Sequence, residues 1–223
     1  MYHPIRRISF TERKKMENAA NSVEGSLDRP LRDGFGNLCK EDSNVCPTHA
    51  ATVSQFYSVY KSKKIKPSDI MARTIKAVRA WESGGLKIFS SFLEADIMQQ
   101  AYESDARFAN GSFRSIFEGV PVAFKDTNDI LGHKIYDGRN PSDPLNIVIS
   151  DKDDTTVARF RALGAIILGA TIMTEGGVTP LGYNAHFQGP HSAFSSYRYS
   201  GGSSAGSGVA VATGLVRLQS GSM

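Results

Sequence analysis

Seventeen residues near the end of the sequence, Ser200 to Val216, constrain the chain most: SGGSSAGSGVAVATGLV. A Gly/Ser loop runs without a break into a stretch of Ala, Val and Gly. Small residues let a helix lie close against its neighbours, so the stretch predicts a buried helix entered through a tight loop. A flexible linker has the same loop composition, but it does not ordinarily lead into an apolar helix. A phosphate cradle would use the free N–H groups of the helix N-terminus. Here, however, there is no G-K-[ST] and no G-x-G-x-x-G behind a strand. Gly202, Ser204 and Gly206 satisfy the G-x-S-x-G of a nucleophile elbow, which needs an acid and a His later in the chain. The 19 residues after Ser204 contain no Asp, Glu or His, so that reading fails.

A serine chemistry without histidine needs another base. Gly119–Phe124, GVPVAF, is an apolar run suited to a buried strand, and Lys125 follows it directly. A lysine at a strand end commonly reaches solvent. If it is buried instead, desolvation penalises the ammonium and lowers its pKa, and the neutral amine can then take a proton from a hydroxyl.

The rest of the chain reads as α/β. Helices are expected over Ala51–Lys61, from the Pro67-Ser68-Asp69 start signal to Trp81, over Ala95–Arg107, and from Thr155 to Gly164. Strands are expected at Phe89–Leu93, Gly119–Phe124 and Ala165–Ala170, with Pro121 placing the start of the second at an edge or a bend. The Asp- and Pro-rich stretch from Asp126 to Asp154 reads as a loop. Residues 1–50 read as a loop-rich leader with one short helix around Phe10–Ala20. No internal repeat is present.

Two segments together, GVPVAFKD (Gly119–Asp126) and the Ser200–Val216 loop and helix, resemble the amidase signature family. Between them, RFRALGAIILGATIMTE resembles the family's central pattern. The resemblance covers roughly residues 50–222. It implies a mixed central β-sheet flanked by helices, and a Ser–Ser–Lys triad acting at an amide carbonyl. Lys125 matches the catalytic lysine. Ser203 matches the bridging serine, with a cis peptide bond before it, and Gly201, Gly202 and Ser204 shape the supporting loop. Residues around Glu175–Gly177 would wall the acyl pocket, Gly177 among them. The family's nucleophilic serine follows the helix; counted from Gly221 it would fall at 227, four residues past Met223. Residues 51–223 therefore read as the N-terminal half of an amidase-signature domain, truncated and inactive or nearly so as written. Ala170, Ile172 and Ala205 depart from the usual pattern without removing a triad member. The segment Gly182–Pro190, GYNAHFQGP, leans toward fatty-acid-amide-hydrolase-like members and a lipophilic amide.

Composition narrows the alternatives. The net charge of +4 is carried by residues 1–66, with 12 Lys/Arg against 7 Asp/Glu; residues 67–223 hold 14 against 15. A nucleic-acid-associated protein would rest on that segment alone, and no recognised motif supports it, so no nucleic-acid partner is expected. A catalytically dead fragment acting in binding or assembly is the other rival. Cys39 and Cys46 are too few for a disulfide scaffold and lack zinc spacing. The longest apolar run, Ala162–Met173, is too short to span a bilayer. The expectation is thus a cytoplasmic protein with a small-molecule amide substrate and no metal, cofactor or integral membrane segment. Peripheral membrane contact stays open. Homo-oligomerisation is a further expectation, since half a sheet would expose an unpaired edge.

Overall fold

The computed structural model describes residues 52–220, Phe194 aside. The expected helix around Phe10–Ala20, the leader and both cysteines lie outside the described residues.

Helix α1 (Val53–Lys61) opens with a capping box: Gln55 N–H donates to Thr52 Oγ1, and Thr52 N–H donates to Gln55 Oε1 at 2.6 Å. Helix α2 (Pro67–Ser83) has Pro67 at its first position, where a missing N–H costs nothing, and the Asp69 carboxylate accepts from Lys66 N–H at 3.1 Å. Its Ile70, Met71, Ile75 and Val78 recur at helical spacing and are buried. Strand β1 (Phe89–Phe92) leads to α3 (Glu94–Ala109), which packs along α2.

Strand β2 (Pro121–Lys125) is buried at every residue. Gly119, at φ 75°, makes the bend before it. The bend read from Pro121 holds. The edge reading does not, because β2 lies inside the sheet and tolerates proline only as its first residue. The Asp- and Pro-rich stretch contains a small ribbon of β3 (Lys134–Ile135) against β4 (Val148–Ile149). Helix α4 (Thr155–Ala162) starts where the Asp154 carboxylate accepts from Thr156 and Val157 N–H, and β5 (Ile166–Thr171) follows. A second ribbon joins β6 (His191–Ser192) to β7 (Ser195–Tyr199). The small-residue helix is α5 (Ala205–Ala212), and β8 (Leu218–Ser220) follows it.

The main sheet runs β1-β5-β2-β8, antiparallel between β1 and β5 and parallel elsewhere. Alternation along the strands sends side chains to two cores. Ala123, Ile166 and Leu168 join residues of α1, α2, α3 and α5 on one face. Val122, Phe124 and Ile167 join Val157 of α4 and Ile130 on the other. The architecture is thus mixed α/β, a partial sheet flanked by helices. Lys125 lies two residues beyond Ala123 and so shares the face on which α5 packs.

The approach to β2 is locked by charge. Glu118 is fully buried, and its Oε1 accepts from Arg107 Nε and Nη2, each at 3.0 Å, while its Oε2 accepts from Arg114 N–H at 3.0 Å. The clamp ties the last turn of α3 to the start of the strand.

Candidate active site

Lys125, at the end of β2, is 3% exposed, and its Nζ donates to Ser203 Oγ at 2.7 Å. The lysine does not reach solvent, the commoner fate of a strand-end lysine. Burial pushes its ammonium pKa below the ordinary range, and the carboxylate of Asp137 opposes that shift.

Ser203 stands in the loop before α5 and is held by backbone. Thr174 N–H donates to Ser203 O at 3.1 Å, Gly202 N–H donates to Pro180 O at 3.0 Å, and Gly206 N–H donates to Ile172 O at 2.8 Å. The peptide bond between Gly202 and Ser203 is cis. At Gly206 a Cβ would lie 2.6 Å from Ile88 O and 2.7 Å from both N and O of Ile172. No side chain fits there, because the contacting atoms are backbone and cannot swing away. This is the physical content of the small-residue stretch: α5 begins against the ends of β1 and β5, and the loop ahead of it is thereby aimed at Lys125.

The other residues singled out from the sequence also gather here. Gly201 adopts a left-handed φ of 79°, and its backbone lies directly against Gly182. Ser204 occupies the N-cap position of α5, but its side chain does not cap the helix. Gly177 ends a short 3-10 turn, and a Cβ placed on it would sit 3.8 Å from Ser203 Oγ. Gly177, expected from the sequence to wall a pocket, is therefore a neighbour of Ser203.

Three supporting residues were not assigned from the sequence. Asp126 is fully buried directly after Lys125; its carboxylate accepts from Tyr136 N–H at 3.1 Å and Gly138 N–H at 2.9 Å. Desolvation outweighs those two donors and the Ser90 hydroxyl, and raises its pKa to about 6. Asn184, buried, donates through Nδ2 to Gly138 O at 2.6 Å and Met173 O at 2.7 Å, and its Oδ1 accepts from His186 N–H at 2.9 Å. It clasps the loop around Asp126 to the exit of β5. Thr171 Oγ1 lies 2.9 Å from Ser207 Oγ and donates to Phe124 O at 3.1 Å, joining α5 to the end of β2. The acidic residue after Lys125 and the asparagine of GYNAHFQGP were visible signals; their main partners are peptide groups, which residue types do not announce.

Among the described residues no group of three or more His, Asp or Glu could hold a metal ion, and no helix is long and apolar enough to cross a membrane. A cavity of about 340 Å³ opens elsewhere, between the α1–α2 turn and the end of α3, lined by Tyr60, Lys63, Ile65 and Phe108 among others. None of the site residues borders it.

A buried lysine is thus bonded to a serine on a glycine-lined loop, at the end of the central strand of a mixed sheet. The amidase family profile matches residues 77–222, and the chain belongs to that family. It is 31% identical over 168 residues to a fatty acid amide hydrolase of Medicago truncatula, covering 73% of this chain and 27% of that protein. It is 31% identical over 177 residues to a fatty acid amide hydrolase of Arabidopsis thaliana, covering 75% and 29%. The fold matches the native peptide amidase of Stenotrophomonas maltophilia with a TM-score of 0.70 at 20% identity, over 76% of this chain and 35% of that one. The chain thus spans about a third or less of the length of these relatives.

Proposed function

We propose that Lys125 and Ser203 form the proton-relay half of a Ser–Ser–Lys triad that hydrolyses carboxylic amides. The observation that carries this reading is the 2.7 Å hydrogen bond between two side chains 78 residues apart, one of them a buried lysine. Once the ammonium has given its proton to water, the amine of Lys125 accepts the Ser203 hydroxyl proton. Ser203 Oγ in turn accepts the proton of the nucleophilic serine as that serine attacks the amide carbon. The same relay returns a proton to the departing amine, and water repeats the sequence on the acyl-enzyme. Gly201, Gly202 and Ser204 shape the loop and Gly177 borders the acyl group.

No serine of residues 1–223 matches the family nucleophile by motif, so a polypeptide of these residues alone is expected to be inert. The substrate proposed is a lipophilic amide. Support comes from the GYNAHFQGP segment, from the fatty acid amide hydrolases among the relatives, and from Val178 and Leu181, exposed beside Gly177 and Gly182. A cytoplasmic location belongs to the same proposal.

Labelling with a serine-directed fluorophosphonate tests it. The 223-residue polypeptide is expected not to label, and any longer product of the same coding sequence is expected to label, with loss of the signal in Lys125→Ala and Ser203→Ala. Labelling of the 223-residue polypeptide that disappears in Ser203→Ala would instead make a serine within it the nucleophile.

A further inference from the structure

Thr171, the last residue of β5, is fully buried and is the ladder partner of Lys125. Its hydroxyl donates to Phe124 O at 3.1 Å, and its carbonyl accepts from Asp126 N–H at 3.2 Å. One residue thus holds the main chain immediately before and immediately after the lysine. Thr171 Oγ1 also lies 2.9 Å from Oγ of the buried Ser207, four residues past Ser203. A threonine has one hydroxyl proton, and a carbonyl oxygen can only accept. The Thr171 proton therefore goes to Phe124 O, and Ser207 is the donor to Thr171. A chain of bonds runs from α5 through Thr171 to the residue before Lys125. The next residues of the same segment grip the loop ahead of α5: Ile172 O accepts from Gly206 N–H at 2.8 Å, and Thr174 N–H donates to Ser203 O at 3.1 Å.

We propose that Thr171 is a positioning residue: its hydroxyl, set between Ser207 and Phe124 O, aligns the lysine of β2 with the serine of the α5 loop. The proposal rests on the reading of Lys125 and Ser203 as a proton relay, and it adds the residue that fixes the geometry in which the relay works. The sheet alone does not fix it. Pairing between β2 and β5 is interrupted between Val122 and Phe124, so the upstream ladder does not dictate where the last two residues of β2 lie. Thr171 restores the alignment after the interruption, with its side chain on Phe124 and its carbonyl on Asp126. The main-chain bonds at Ile172 and Thr174 tie the loop to β5, and the Ser207–Thr171 bond carries that tie across to β2. No proton of the relay needs to pass through Thr171, whose hydroxyl proton is committed to Phe124 O. Its role is exerted through the two side chains it aligns.

The test is NMR on the 223-residue chain carrying 13Cε-lysine and 13Cβ-serine, with the resonances assigned by their absence in Lys125→Met and Ser203→Ala. It reads the cross-peak between Lys125 Hε and Ser203 Hβ, and the pH midpoint of Lys125. Both report the pair whether or not the chain hydrolyses anything, so failure of the amidase reading and failure of this proposal are distinguishable. Thr171→Val keeps the side-chain shape and removes the hydroxyl between Ser207 and Phe124 O. It is expected to lose the cross-peak and to raise the midpoint toward that of an ordinary lysine, as water reaches the ammonium. Thr171→Ser, which keeps the hydroxyl, is expected to retain both wild-type values. Thr213→Val removes another buried hydroxyl, at the C-terminal end of α5 and bonded to Val209 O at 2.8 Å, and is expected to leave both unchanged. A folded Thr171→Val with the wild-type cross-peak and midpoint overturns the proposal. So does an equal change in Thr213→Val, which would make the effect a general loosening of α5. If Thr171→Val fails to fold, Ser207→Ala takes its place, and wild-type values in that variant overturn the proposal.

Discussion

Strand β2 carries a fully buried carboxylate at each end, and the two are neutralised in different ways. Glu118, before the strand, meets a guanidinium and one peptide N–H. Asp126, just after it, meets two peptide N–H groups as a turn wraps around it. The geometry of the strand explains the contrast. Successive residues point to opposite faces, so Lys125 goes to Ser203 while Asp126, next in the chain, faces away from that cation. The entrance is a closed ion pair whose job is to hold α3 to the sheet. The exit keeps its cation for the serine and leaves a carboxylate satisfied by uncharged donors alone. The same strand is thus charge-compensated at its entrance and served by uncharged donors at its exit.

Removing the cation at the entrance gives the largest expected effect. Arg107→Ala strands the Glu118 charge in the interior and is expected to lower stability by about 3–5 kcal/mol, read as a drop in the urea midpoint. At the exit, Asp126→Ala leaves two peptide N–H groups of the 136–138 turn without their acceptor. The expected cost is smaller, about 2–3 kcal/mol, and hydrogen exchange at Tyr136 and Gly138 is expected to rise while exchange in α3 does not. Equal loss of protection in both places would dissolve the contrast.

The pH dependence sharpens it further. The Asp126 pKa lies near 6 in the folded chain against an ordinary 3.8. The folded state therefore binds the proton more tightly than the unfolded chain. That contribution is complete below about pH 4 and is lost as the pH rises through about 6, on the order of 3 kcal/mol in all. Urea melts at pH 4 and pH 7 are expected to show a decline in wild type that Asp126→Asn lacks. A surface pair provides the lower end of the scale. Arg79 binds Glu94 through a short bidentate contact, but the guanidinium is exposed, and Arg79→Ala is expected to leave the urea midpoint unchanged.

How much of this was readable in advance follows the chemistry of each part. Helices α1, α2 and α4 carry capping or start signals and α3 has apolar spacing, so their placement needed nothing beyond local sequence. Lys125 was legible as a lysine closing an apolar strand, while the Gly/Ser loop left several uses open and Ser203 was singled out through the family resemblance. Gly177 was reached through the resemblance. The two ribbons were not foreseen, since β3, β4 and β6 are two residues long and carry no periodicity. Nor was β8, whose pairing with β2 is a non-local event that three residues cannot advertise. Asp126 and Asn184 went unassigned for a common reason. Each bonds to peptide groups brought close by the fold, and peptide groups are identical at every position of a sequence.

The distance along the chain between Lys125 and Ser203 has a kinetic meaning. Seventy-eight residues separate them, and they include α4, β5 and the second ribbon. Contacts this far apart form only after the intervening chain has closed, at an entropic cost that local helices do not incur. The lysine will therefore be exposed and ordinary in basicity through the early stages of folding, and will become a shielded, reluctant cation only when β5 has joined β2 and α5 has settled on both. The onset of its altered proton affinity would serve as a clock for the last long-range step of assembly.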